Sequence, residues 1–84
     1  MDPLDAPDTN MRERIIVDPK ILVGKPLVRG TRLSVEFIVG LFAQGWTMEQ
    51  VLENYPGLTI EDVRACFAYA SEILRSERIY PLGA

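Results

Sequence analysis

The sequence contains no histidine and a single cysteine, Cys66. The first absence removes the side chain that most often works as an acid or base near neutral pH and the commonest zinc ligand, and one thiol cannot close an internal disulfide. No run of about 18 apolar residues occurs, and the chain opens without the basic and then apolar segments of a secretory signal. A cytoplasmic protein with no membrane role is the expectation. Cys66 falls in the middle of a helical pattern, where an inert buried thiol is expected because no imidazole can activate it. The acids Glu49, Glu53, Glu61 and Asp62 are accounted for by helix caps and wet helix faces and do not call for a metal. The sequence therefore predicts neither an enzyme, nor a cofactor, nor a small-molecule substrate.

What is present is charge, unevenly placed along 84 residues with a net of −3. Residues 1–11 carry Asp2, Asp5 and Asp8 for −3. Residues 12–32 carry Arg12, Arg14, Lys20, Lys25, Arg29 and Arg32 against Glu13 and Asp18 for +4, and residues 33–84 carry three arginines against seven acids for −4. The overall sign argues against indiscriminate nucleic-acid binding, yet the second segment is distinctly basic. A chain this short forms one domain, burying only about 60% of its unfolded surface. Self-association would supplement so small a core, and a homodimer is expected.

Residues 1–11 hold two prolines and three aspartates and read as a disordered acidic leader; residues 12–78 read as one domain, and residues 79–84 as an apolar tail. Residues 14–17 are rich in β-branched side chains and form a candidate strand that Asp18-Pro19 ends. After Pro26, which lacks a backbone donor, Leu27 and Val28 read as an edge strand. Gly30 suits the third place of a tight turn, and residues 31–33 read as a returning strand, with Leu27 and Leu33 inward and Lys25, Arg29 and Arg32 in water. Ser34 then caps a first helix over residues 35–44 that Gly45 terminates. Its apolar residues cover more than one face, which predicts burial on most sides.

Thr47 and Gln50 have the spacing of a capping box, so a second helix is expected over residues 48–54 with Met48, Val51 and Leu52 inward. Tyr55-Pro56-Gly57 breaks the chain, and Thr59 with Asp62 three residues later starts a third helix over residues 60–78. On that helix Val63, Phe67, Ala70 and Leu74 fall in one stripe, flanked by Cys66 and Ile73, and this is the expected core face. Arg64, Ala68, Ser71, Arg75 and Arg78 form a second stripe. Either it is a solvated face with ion pairs at three-residue spacing, or it receives a partner.

Gly24-Lys25-Pro26 followed by Gly30-Thr31-Arg32 resembles the signature of the domain of unknown function 433 family. Gly45, Tyr55-Pro56 with Leu58-Thr59, and Ala68-Tyr69-Ala70 fall where that family's pattern places them, so the resemblance spans residues 15–74. It implies a homeodomain-like helix-turn-helix fold in small bacterial proteins, mainly α with a short N-terminal β hairpin before three helices. It further implies the antitoxin half of a type II toxin–antitoxin pair whose toxin has a PIN-like nuclease fold.

Residue chemistry narrows where each activity would sit. The third helix opens on Thr59-Ile60-Glu61-Asp62, whose two acids would repel phosphate at the end where a recognition helix meets bases, and the connection over residues 55–59 is longer than the usual three or four. Contacts to operator DNA would therefore come from Lys20, Lys25, Arg29 and Arg32. The alternative is that these serve solubility and edge protection. The candidates for toxin binding are Arg64, Arg75, Arg78, Ile79, Tyr80 and Leu82. A phosphate-binding loop at residues 24–31 is excluded, because five residues separate the two glycines and no lysine precedes Thr31. A stand-alone DNA-binding regulator and a structural dimerisation module are the alternatives to the antitoxin.

Overall fold

The structure, a computed structural model, describes residues 13–76. The acidic leader and four of the expected partner contacts, Arg78, Ile79, Tyr80 and Leu82, lie outside the described residues. Strand β1 (Ile15–Val17) pairs antiparallel with β2 (Pro26–Val28), setting Ile15 opposite Val28, Ile16 opposite Leu27 and Val17 opposite Pro26. Three helices follow, α1 (Val35–Ala43), α2 (Met48–Asn54) and α3 (Ile60–Ser76). The class is the expected one, mainly helical with a short N-terminal hairpin.

The hairpin differs from the expectation in which segments pair. Residues 31–33 form no strand, although the tight turn before them is present: the Thr31 N–H donates to the Val28 carbonyl at 3.0 Å, and Gly30 in the third place has φ +83°. The Thr31 hydroxyl also donates to the Val28 carbonyl at 2.9 Å and accepts from the Leu33 N–H at 3.0 Å. Those local bonds take the place of a ladder, and Ser34 already belongs to the next helix. A lone bridge between Leu27 and Ser34 is what remains of the return. In this two-stranded sheet β2 is an edge strand, as expected, with the single bridge to Ser34 on its far side, and Leu27 and Val28, which point to opposite faces, are both buried.

The start of each helix, and the end of α1, lies where local chemistry dictates. The Ser34 hydroxyl accepts from the Phe37 N–H at 2.9 Å and starts α1. At the other end the Gly45 N–H reaches the Phe42 carbonyl at 3.0 Å and the Trp46 N–H reaches the Leu41 carbonyl at 3.1 Å, the paired bonds of a Schellman stop with Gly45 at φ +100°. The capping box of α2 is complete, with Thr47 Oγ1 accepting from the Gln50 N–H and Gln50 Oε1 accepting from the Thr47 N–H. Thr59 and Asp62 make the same reciprocal pair at the start of α3, at 3.1 and 3.0 Å.

The core gathers Val28 from β2, Val35, Ile38 and Leu41 from α1, Val51 from α2, Leu58 from the following turn, and Val63 and Cys66 from α3. Helix α3 corrects the expected core stripe by one residue, about 100° round the axis. Asp62, Cys66 and Tyr69 face inward with Val63 and Ala65 on either side, while Phe67 is 41% and Leu74 60% exposed. Ile73, expected as a flank of the core, is 42% exposed. The cause is packing: α3 lies against α1 and β1, and its buried residues all fall within residues 62–66. Seventeen residues make α3 about 26 Å long against about 13 Å for α1, so its C-terminal half outruns the body of the domain.

Candidate partner interface

Among the described residues Asp62 is the buried acid, 8% exposed. One carboxylate oxygen caps α3 through the Thr59 N–H, and the other accepts from Arg14 Nη1 at 2.9 Å. Arg14 immediately precedes β1, and its carbonyl accepts from the Arg29 N–H at 2.7 Å, so this ion pair ties the sheet to the third helix. Glu13, Arg14, Arg29 and Asp62 line an open cleft of about 270 Å³. Two cations and two anions leave it without a net sign, which makes it a brace and not an anion pocket. Arg14 had no partner readable from its neighbours in sequence, because Asp62 lies 48 positions away.

The Cys66 thiol lies under this brace. Burial, reinforced by the negative charge of Asp62, pushes its pKa from the usual 9.0 up to about 12. A thiol held neutral is a poor nucleophile. Native protein at pH 8 is therefore expected to react with iodoacetamide no faster than the domain opens, and denaturant should release the full rate; fast labelling of the native chain would contradict the burial. Because the folded pKa is raised, this group contributes stability that is complete below the unfolded pKa and is lost progressively as pH rises from about 9 towards 12.

The basic residues expected to meet DNA are all exposed, but they are not equivalent. Lys25 and Arg29 stand just outside the two ends of β2, about 13 Å apart along the strand. Lys25 Nζ lies 3.0 Å from Glu36 Oε1, an exposed pair that adds little stability but offsets the lysine's charge towards any phosphate. Arg29 borders the neutral cleft. Lys20 and Arg32 lie in the turns on either side of β2, and a turn at Asp18 fixes Lys20 through its backbone, whose N–H donates to Asp18 Oδ1 at 2.9 Å.

The outer side of α3 offers more continuous material. Arg64 and Arg75 are exposed, and eleven positions of helix place them within about 20° of one line and about 16 Å apart. Beside that line runs the seam that the sequence assigned to the core. Phe67 meets Phe42 of α1 edge to face at 5.1 Å between ring centroids, and Leu74 continues the seam beyond it. Sequence reasoning found the arginines and missed Phe67 and Leu74 as surface. The signal that could have found them was length, since an apolar repeat on a helix of seventeen residues outruns partners of nine and seven.

No helix among the described residues is long and apolar enough to cross a membrane. The sequence model of the family described as "Protein of unknown function (DUF433)" matches residues 15–70. The chain is 41% identical over 59 residues to an uncharacterised protein, y4eO, of Sinorhizobium fredii, an alignment that covers 70% of this chain and 27% of that protein. It is 54% identical over 24 residues to an uncharacterised protein of Archaeoglobus fulgidus, covering 29% of this chain and 67% of the other. The chain thus spans about a quarter of the length of the Sinorhizobium relative. Among solved structures it is similar to a DUF433 member from Anabaena variabilis, with TM-score 0.71 and 29% identity over 89% of this chain and 78% of that one.

Proposed function

The chain belongs to the DUF433 family, and from that premise we propose that it acts as the antitoxin of a type II toxin–antitoxin pair, binding a PIN-like nuclease and holding it inactive. Inhibition of this kind needs a surface and no catalytic group. The observation that carries the reading is the exposed line of Arg64 and Arg75 along α3. A nuclease of this type works through clustered acidic side chains, and arginine pairs with carboxylates through two parallel hydrogen bonds that lysine cannot reproduce. The sequence adds Arg78, Ile79, Tyr80 and Leu82 as further candidates for this contact, all outside the described residues.

The test begins with the tagged chain expressed from its native locus with its neighbouring genes. A stoichiometric small nuclease should copurify, its activity on RNA should be lost in the complex, and Arg64→Glu with Arg75→Glu should weaken inhibition at least about tenfold while the melting temperature stays unchanged. A copurified nuclease inhibited equally by the charge-reversed chain would remove α3 from the interface. An active nuclease in the purified complex would remove the antitoxin reading itself.

A second activity, repression of its own operon, draws on Lys20, Lys25, Arg29 and Arg32, which are all exposed around β2. Phosphate contacts by these four would give an affinity for promoter DNA that falls with salt at a logarithmic slope of about −3.6. Binding by a twin pair of chains would double that slope. Affinity that does not change with salt would exclude this patch as a phosphate contact.

A further inference from the structure

Helix α3 carries two apolar faces, and the fold covers only the start of the second, through buried Val63 and the contact of Phe67 with Phe42. The inward face ends early, because every buried residue of the helix falls within residues 62–66, whereas residues 71–75 are all exposed. The other face runs through Phe67, Ala70 and Leu74, repeats at intervals of three and four residues, and is bordered on one side by Arg64, Ser71 and Arg75. On its other side stands Ile73, 42% exposed, so that border is apolar. Of the acids of the helix, Asp62 is buried, and Glu61 and Glu72 lie away from the seam on the far side of the arginine line.

This asymmetry decides what fits. Two copies packed antiparallel along the seam would bring arginine border against arginine border, and two copies packed parallel would set arginines against the apolar border. Among the described residues neither arrangement sets a carboxylate against the arginines. We propose that the Phe67–Ala70–Leu74 seam is a docking face for a different protein, which contributes an apolar helical ridge edged on one side by carboxylates. The seam supplies the apolar contact and Arg64 and Arg75 fix the register and direction of the incoming helix. This deepens the proposed function by giving the partner's chemistry and rests on it for the partner's identity, but the test contains no nuclease, so the two readings fail separately.

The probe is a fluorescent synthetic helix of about 20 residues, long enough to hold helical structure, with leucines at three- and four-residue spacing and glutamates along one border; a second carries lysines in their place. Anisotropy titration with the full chain should show the acidic peptide binding at least about tenfold tighter than the basic one at low salt, with the preference shrinking as salt rises. Leu74→Glu should abolish the binding, and Leu74→Ala, which adds no charge and removes little packing, should weaken it several-fold. Val23→Ser, which alters an apolar side chain 94% exposed elsewhere, should change nothing. Arg64→Ser with Arg75→Ser should erase the preference while leaving residual binding of both peptides.

Three results would overturn the proposal. Equal affinity for the two peptides would show that the arginine border selects nothing. A chain that sediments as a dimer and is made monomeric by Leu74→Glu would place a second copy on the seam. Affinity for both peptides rising about tenfold in the full chain bearing Leu82→Ser would place the chain's own tail there.

Discussion

Asp62→Ala is expected to lower the unfolding free energy by about 3 kcal/mol, read from the shift of the urea midpoint at constant slope. The size follows from the two jobs of one carboxylate. Its Oδ2 accepts from the Thr59 N–H at the first turn of α3, a cap whose loss costs about 1 kcal/mol, with a smaller contribution from the helix dipole. Its Oδ1 takes Arg14 Nη1, and because Asp62 is buried while the Arg14 side chain is 37% exposed, that pair is worth about 1 to 2 kcal/mol and not the larger figure of a fully enclosed one. Asp62→Asn keeps an acceptor for the cap and loses the charge, so it should cost about half as much. Arg14→Ala combined with Asp62→Ala should fall short of additivity by about 1 kcal/mol, and strict additivity would mean that the brace between sheet and helix contributes nothing.

The same residue explains where the sequence was readable and where it was not. Helix boundaries were legible because each depends on a few adjacent side chains: Ser34 with the backbone of Phe37, Thr47 with Gln50, Gly45 with its left-handed φ. Strand pairing was not, since nothing adjacent to Leu27 says that Ile16 and not residues 31–33 lies beside it. The inward face of α3 was misplaced by one position because a carboxylate and a phenol, Asp62 and Tyr69, stand on it, and both read as wet when taken alone. Asp62 is admitted to the interior by Arg14, 48 residues earlier, a partner that no local pattern indicates.

The candidate site divides in the same way. Arg64 and Arg75 were legible as a line because helical periodicity alone places them together, whereas Phe67 and Leu74 have the spacing of a core seam and no local feature separates such a seam from a docking face. What separates them is how far the neighbouring helices extend, a property of the assembled domain.

Ile38→Ala is expected to cost about 3 kcal/mol, and Leu74→Ala less than about 0.5 kcal/mol, although both remove a branched aliphatic side chain from a helix. Ile38 is 0% exposed and lies in the cluster that joins β2 to all three helices, so truncation leaves a cavity that close-packed neighbours fill only in part. For a domain this small that loss exceeds half of a typical stability near 5 kcal/mol and should lower the melting temperature by about 15 °C. Leu74 already has most of its surface in water, so the folded chain has little to lose, and alanine's higher helix propensity offsets part of even that. The contrast is the decisive quantity. Comparable losses at the two positions would mean that the second seam of α3 is packed in solution and serves the fold; a large loss at Ile38 with almost none at Leu74 would place the seam outside the packed core.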